Sequence, residues 1–447
     1  MTTSNRRYWL QSGFLSLMIN FQNLLFGFGS FYLLVRMLDK HTFGIWSLFI
    51  ATTTIFDSAR SGMIQNALIK YLSDHTEKDH PAILSASFYL SGALMLVCII
   101  VNISIAGYLA HIWHDNQLIG MFYAFNLVYL LQGILYQLQW VEQANLSFKG
   151  VLTSSVIRQG GFFVYIVLAF FLHWPGRLMN FIWVQAACAL VALFVQYGFV
   201  RKNLILTRKI DYAWAKRLFG YGKYVFGTNI SGILTGTINQ MMLGALLSAD
   251  AAGAFNVAIR ITTLTEVPTN ALGTIVFPQS SKRFASEGKG AIKYLYEKSV
   301  GTLLAILIPS LAILFFFPGF VVHVIAGSKY PETIPIIRLT VLYCLLTPFS
   351  RLFGTILDSI GKPRINFIII ILFTTVELVL TWYFIIAFGI LGAVYATLTA
   401  CILFFIVMQI ILAQLLKINF LNTFVYAVQF YPDFYQNYIK KRSIFHS

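Results

Sequence analysis

The chain has 447 residues, 58% of them hydrophobic and only 11% charged, with a mean hydropathy of +0.74. Soluble globular domains carry about a quarter charged residues, so this composition excludes that class and implies a polytopic membrane protein. The formal net charge of +16 is explained by membrane topology and does not call for nucleic acid as a partner.

Apolar runs long enough to cross a bilayer of about 30 Å recur along the whole length. They predict twelve spans, near 9–35, 43–69, 82–110, 117–141, 151–172, 178–200, 218–248, 252–278, 292–318, 333–356, 365–388 and 390–416. The first run is too long for a signal-peptide core and no small-residue cleavage site follows it, so it reads as a retained span. With the N-terminus placed in the cytoplasm, 23 of the 32 Lys and Arg residues fall on inner segments and 4 on outer loops. The positive-inside rule then puts both termini in the cytoplasm.

Span one carries Ser16, Asn20, Asn23, Gly27 and Ser30 at helical spacing, which places them on one face. Span two carries Thr53, Asp57 and Arg60, and span four Tyr129, Gln132, Tyr136, Gln139 and Gln143. The connection 201–217 is the longest and most basic, and it separates a six-span bundle, 1–200, from a second, 218–416. Span seven carries Asn229, Gly232, Gly236 and Asn239, with Gln240 beside it. Span eight carries Asn256, Arg260, Thr263, Asn270 and Thr274. Such stripes can glue helices together or line a polar cleft, and spacing alone leaves both open. The tail, 417–447, is aromatic, ends in a basic cluster at Lys440, Lys441 and Arg442, and is expected on the inner membrane surface.

Charges discriminate better than stripes, because an ionised side chain at the bilayer centre costs roughly 2.5–3.5 kcal/mol. Arg158, Arg338 and Arg351 lie near span ends, from which a long side chain can snorkel to the headgroups. Asp57, Arg60, Arg260, Glu266 and Glu377 lie deeper and must pair, neutralise or face water. Asp57 and Arg60 can pair at i,i+3 on their own helix, and the guanidinium can take a phosphate by two parallel hydrogen bonds. Pro268 is expected to kink span eight beside Glu266, a gating candidate, and Glu377 in span eleven is a candidate for proton coupling.

Enzyme signatures do not emerge. No P-loop occurs, and no G-x-S-x-G. Cys98, Cys188, Cys344 and Cys401 are far apart on apolar helices and read as buried small hydrophobes. His111, His114 and Asp115, beside Trp113, read as interfacial residues more readily than as a metal site.

Several stretches together resemble a known family. They are "LLVRMLDKHTFGIWSL" after span one, "FDSARSGMIQNALIKYL" in span two, "YGKYVFGTNISGILTGTINQMMLGALLSADAAGAFNVAIRITTLTEVPTNALGTIVFPQSSKRF" across spans seven and eight, and "GILGAVYATLTA" opening span twelve. In order and placement the chain resembles the oligosaccharide (O-antigen and capsule repeat-unit) flippases of the multidrug/oligosaccharidyl-lipid/polysaccharide exporter superfamily. The resemblance implies an all-α protein of about twelve spans, in two six-helix bundles around a central cavity open alternately to each side. It implies a non-enzymatic carrier of an undecaprenyl-pyrophosphate-linked repeat unit in the bacterial inner membrane. The expected partners are that lipid-linked oligosaccharide, membrane lipids and other polysaccharide-assembly membrane proteins. No cofactor is expected, and H+ or Na+ is the candidate coupling ion. Arg60 and Arg260 best fit the pyrophosphate-holding cations, with Asp57, Asn20, Asn23, Asn239, Gln240 and Asn256 as further cavity residues.

Two other readings stay open: a multidrug or cation antiporter of the same superfamily, and a membrane glycosyltransferase or polymerase using the same lipid carrier. An enzyme of that kind should show a sizeable outer loop with catalytic acids or bases. The outer connections "LSADAA" and "FGILGA" are short.

Overall fold

The computed structural model of the protein describes residues 3–74, 79–145, 147–207 and 211–434. The side chains of Ser16, Asn229, Gly232, Asn270 and Thr274, and the cluster Lys440, Lys441 and Arg442, lie outside what is described. Every expected span is occupied by a helix or by a pair of broken helices. They are α1 (Thr3–Met37), α2 (Lys40–Asp74), α3 (His80–Ile112), α4 (Gln117–Ala144), α5 (Lys149–Ser155) with α6 (Gly161–Phe171), and α7 (Leu178–Val200). The sequence continues through α8 (Tyr212–Leu246), α9 (Ala249–Thr263) with α10 (Glu266–Glu287), α11 (Lys289–Phe316) and the short α12 (Pro318–Ala326). It ends with α13 (Thr333–Cys344) and α14 (Thr347–Ser359), α15 (Pro363–Phe388), α16 (Ile390–Leu416) and α17 (Phe420–Phe434).

Among the described residues, nine of these segments are long and apolar enough to cross a membrane on those grounds alone. The spans that fall short are α2, α8 and the broken α9–α10, which carry most of the polar stripes.

The breaks have local causes. Proline lacks an N–H and its ring collides with the carbonyl four residues back, so a first turn suits it best, although Pro309 stands inside α11. Pro81, Pro318, Pro348 and Pro363 all stand at helix starts. Span eight was expected to kink at Pro268. The break falls just before it, between Thr263 and Glu266, where the proline ring excludes the Leu264 carbonyl from α-helical bonding. Shorter-range bonds fill the gap, from Thr265 N to Thr262 O at 3.0 Å and from Thr265 Oγ1 to the same carbonyl at 2.6 Å. Span ten breaks in the same way at Leu345–Leu346, ahead of Pro348.

By packing, the chain divides into two compact units, Met1–Gly253 and Ala254–Ser447, a division separate from the expected one by span count. In the first unit, lipid removes the hydrophobic drive between helices, so close approach and interhelical hydrogen bonds of about 0.6–2 kcal/mol carry the packing. Gly222 of α8 provides the close approach, since a Cβ there would overlap the Met63 carbonyl of α2. Gly236, on the span-seven stripe, has open space around it. Asn102 of α3 donates to Phe122 O at 2.8 Å and Asn126 Oδ1 at 2.9 Å on α4, and Tyr129 of α4 donates to Thr53 O of α2 at 3.1 Å. Ile64, Leu68, Ile83, Leu138, Trp140 and Leu218, drawn from α2, α3, α4 and α8, form a continuous core.

Asp39 caps α2. Its carboxylate accepts from Thr42 N at 3.0 Å and Thr42 Oγ1 at 2.6 Å. Partial burial raises the Asp39 carboxyl, and the Thr42 hydrogen bonds outweigh it, leaving the group below the ordinary carboxylate range. Beside it His41 faces two carboxylates, with Nε2 at 3.5 Å from Asp115 and Nδ1 at 3.4 Å from Asp250. The helix connections at 38–39, 113–116 and 247–248 therefore meet at one end of the unit, as an up-and-down path requires.

In the second unit Tyr296, Leu303, Phe349, Phe353, Ile356 and Met408 form the centre of the core. The α17 helix lies along α11 and is anchored through Glu297, whose carboxylate accepts from Asn419 N at 2.8 Å and Asn422 Nδ2 at 3.1 Å.

Candidate functional site

Three charges of the first unit, Asp57, Arg60 and Arg158, gather where α2, α4 and the α5–α6 junction meet. Arg60 is 3% exposed. Its Nη2 stands 3.6 Å from Asp57 Oδ1, an ionic contact longer than a hydrogen bond, and its Nη1 donates to Gly133 O at 3.4 Å. The guanidinium carbon lies 5.6 Å from the Tyr136 ring centroid and 5.7 Å from that of Trp140. Those two rings are one helical turn apart on α4 and stack at 18°, so the i,i+4 spacing in the sequence builds an aromatic wall for a cation.

Between α5 and α6 the chain makes a π-helical turn, Val156–Gly160, and continues through Gly161. Two adjacent glycines are weak helix formers, and a π turn adds a residue that redirects the side chains on it. Arg158 sits on this turn. It was expected to snorkel, yet its guanidinium lies 5.5 Å over the same Tyr136 ring and within electrostatic reach of Asp57. The next residue, Gln159, donates from Nε2 to Asn23 Oδ1 of α1 at 2.7 Å, and Gln22 donates to the same oxygen at 3.3 Å.

This cluster is incompletely bonded. Asp57 Oδ1, Arg60 Nη2 and Arg158 Nε are buried atoms without a hydrogen-bond partner. Glu142, a buried acid that sequence reading passed over, shows the contrast. It is 3% exposed and accepts from Ser147 Oγ at 2.9 Å, Gly150 N at 2.8 Å and Gln196 Nε2 at 2.7 Å. A carboxylate satisfied that fully is a structural tie between α4, α5 and α7. Its signal was faint, because position 142 lies just past the predicted end of span four. Gln139 is also a tie, donating to Ser154 Oγ at 2.9 Å and Ser155 Oγ at 3.3 Å, so this residue of the α4 stripe, like Tyr129, serves packing.

The remaining candidates are dispersed. Asn20 and Asn23 are exposed on α1, and Asn239 and Gln240 are buried on α8. In the second unit Asn256 is half-buried and Arg260 exposed, both on α9, with Arg260 in its last turn. Glu266 opens α10, where a carboxylate complements the helix dipole, and it pairs with Arg351 of α14 at 3.4 Å. Arg351 is 59% exposed, so this pair is worth little in stability. Pro268 follows in the same first turn. Glu377 of α15 is 6% exposed and accepts from Thr397 Oγ1 of α16 at 3.0 Å.

Comparison with known proteins places this arrangement in a lineage. Over 384 residues the chain is 23% identical to a membrane protein of Methanocaldococcus jannaschii, covering 80% of this chain and 75% of the other. It is 23% identical over 190 residues to the probable low-salt glycan biosynthesis flippase Agl15 of Haloferax volcanii, covering 42% and 40%. With the lipopolysaccharide biosynthesis protein WzxC of Escherichia coli it shares 21% identity over 337 residues, covering 75% and 66%. In three dimensions it is similar to an inward-facing multidrug resistance transporter of the MATE family, with a TM-score of 0.72, 14% identity and coverage of 89% and 96%. The lipid II flippase MurJ, solved inward closed, gives a TM-score of 0.72 at 13% identity and coverage of 93% and 90%. These likenesses establish the all-helical fold, and the long apolar helices make this a multi-pass membrane protein. The family model described as polysaccharide biosynthesis protein matches residues 33–335, from the end of α1 into α13 and across the Asp57–Arg60–Arg158 cluster, and the chain belongs to that family.

Proposed function

We infer that the protein flips an undecaprenyl-pyrophosphate-linked oligosaccharide repeat unit from the inner to the outer leaflet by alternating access. It does so in a bacterial inner membrane, on the route to a surface polysaccharide. The observation that carries this reading is the family match over 33–335, which contains Asp57, Arg60, Arg158 and Arg260. The flippase and lipopolysaccharide roles named for Agl15, WzxC and MurJ support it. Moving a lipid-linked sugar across the bilayer breaks no covalent bond, so the work required of the protein is to bind an anionic, hydrated headgroup in a low-dielectric slab. A buried guanidinium with an unmet N–H and a nearby carboxylate is suited to such binding. The carboxylate holds the cation when no ligand is present, and a phosphate replaces it. On this reading the protein is a carrier and not an enzyme. Its partners are the lipid-linked oligosaccharide, bilayer lipids and other membrane proteins of polysaccharide assembly. Neither a cofactor nor a metal takes part, and coupling to H+ or Na+ drives the cycle.

Arg60 is the principal phosphate ligand and Arg260 a second cation. Arg60→Ala and Arg260→Ala should each abolish export of the repeat unit, scored as surface polysaccharide, while membrane protein levels stay unchanged. Normal surface polysaccharide in both variants would remove these residues from the site.

A further inference from the structure

The π-helical turn sends two neighbouring side chains to different helices. Arg158 reaches the Tyr136 ring on α4, which Arg60 also occupies, while Gln159 reaches Asn23 on α1. A cation held against a ring face is fixed in place without using its N–H donors, which lie in the guanidinium plane. Arg158 Nε and Arg60 Nη2 are both buried without a hydrogen-bond partner. The cluster thus contains two cations and one carboxylate, Asp57, leaving one positive charge unbalanced and donors on two residues open.

We propose that Arg158 is a second phosphate ligand in the first unit. Arg60 and Arg158 each take one phosphate of the substrate's diphosphate from their places on Tyr136, and Asp57 is the counter-ion displaced on binding. This rests on the flippase reading above and adds to it a specificity: two guanidinium forks suit two linked phosphates, and one fork suits one. The π turn positions the second fork, since an extra residue in the turn swings Arg158 toward α4 from a place where a regular helix near a span end lets it run to the headgroups. Gln159 and Asn23, bonded to each other and partly exposed, stand next in the chain to receive the hydroxyls of the first sugar.

The test is a titration of the full-length protein in phosphatidylcholine nanodiscs, read by native mass spectrometry. The probes are undecaprenyl pyrophosphate, undecaprenyl monophosphate and phosphatidylglycerol. The wild type should prefer the pyrophosphate. Arg158→Ala should weaken pyrophosphate binding about tenfold, the worth of one charge-assisted hydrogen-bond pair, and leave monophosphate binding nearly unchanged, so that the preference collapses. Arg158→Lys should recover part of it. If Arg158→Ala fails to fold, Arg158→Gln keeps the side-chain length and allows the same comparison. Unchanged preference in Arg158→Ala, with Arg60→Ala impaired, would overturn the role of Arg158 and leave the flippase reading standing. No pyrophosphate binding by the wild type would overturn both. Phosphatidylglycerol that competes equally, with the same dependence on Arg158, would make this a phospholipid headgroup site and overturn the proposal.

Discussion

At the scale of single residues, bonding state separates function from architecture. Glu142 and Arg60 are equally buried, yet the acid has its acceptor capacity filled by three donors while Arg60 keeps an unpaired nitrogen. Removing one partner of a buried charge pair leaves an uncompensated charge at a cost of about 3–5 kcal/mol, so such an arrangement persists only where something else is served by it. Glu377 is a further buried acid, 6% exposed, and Thr397 of the next helix donates to it. A carboxyl in that setting can hold a proton and hand it on, and we propose that it couples transport to protons. Glu377→Gln should then flatten the pH dependence of transport. A profile that keeps its wild-type shape would rule the role out. Asp57 and Arg60 were legible in the sequence because an ionised pair inside an apolar run has no cheap explanation. Arg158 was not, since a charge near a span end is indistinguishable from a snorkelling one until the π turn and the Tyr136 contact are seen.

At the scale of elements, apolar runs placed a helix or a pair of helices in every one of the twelve expected spans, because the bilayer imposes one length on every crossing helix. Breaks inside spans were less accessible. Pro268 marked span eight correctly to within a turn, while Pro348 did the same for span ten and went unread. The tail helix shows what local pattern can and cannot give. Its aromatic character was legible, but its docking partner depends on contacts from about 120 residues away, Glu297 at its N-terminal end and Gly301 beneath it. A Cβ at Gly301 would stand 2.6 Å from Tyr426 Cβ and 2.7 Å from Thr423 O, so only glycine lets α17 lie so close. Its other face leaves Leu421, Phe424, Val425 and Val428 exposed, the apolar side that a helix on a membrane surface would present. Glu297→Ala should loosen α17 by about 1.5–3 kcal/mol, the worth of a hydrogen bond to a charged group. Gly301→Leu should have the same effect by collision. Limited proteolysis should then cut within 420–434 sooner in both variants while cleavage elsewhere is unchanged, and cleavage of α17 at the wild-type rate would contradict the anchoring.

At the scale of the whole molecule, composition determines the class, the family match assigns the lineage, and on the function proposed above a few charges on helices too polar to pass as ordinary spans do the binding. The helices α2, α8 and α9–α10 fall short of the apolarity that crossing alone asks for, and the first and last of them hold Asp57, Arg60 and Arg260. What a single sequence left open was how those charges are partnered, because helix–helix contacts in a membrane depend on glycines, hydroxyls and amides that no periodicity distinguishes from lipid-facing ones. The central claim is that guanidinium groups built into polar spans carry a phosphorylated lipid headgroup from one leaflet to the other. It is tested most directly by reconstituting the full-length protein in liposomes containing an undecaprenyl-pyrophosphate-linked oligosaccharide and adding an impermeant glycosidase. Wild-type protein should render the inner-leaflet share of the substrate accessible to the enzyme, and Arg60→Ala should not. Digestion that stops at the outer-leaflet share with wild-type protein, as in protein-free vesicles, would contradict the account.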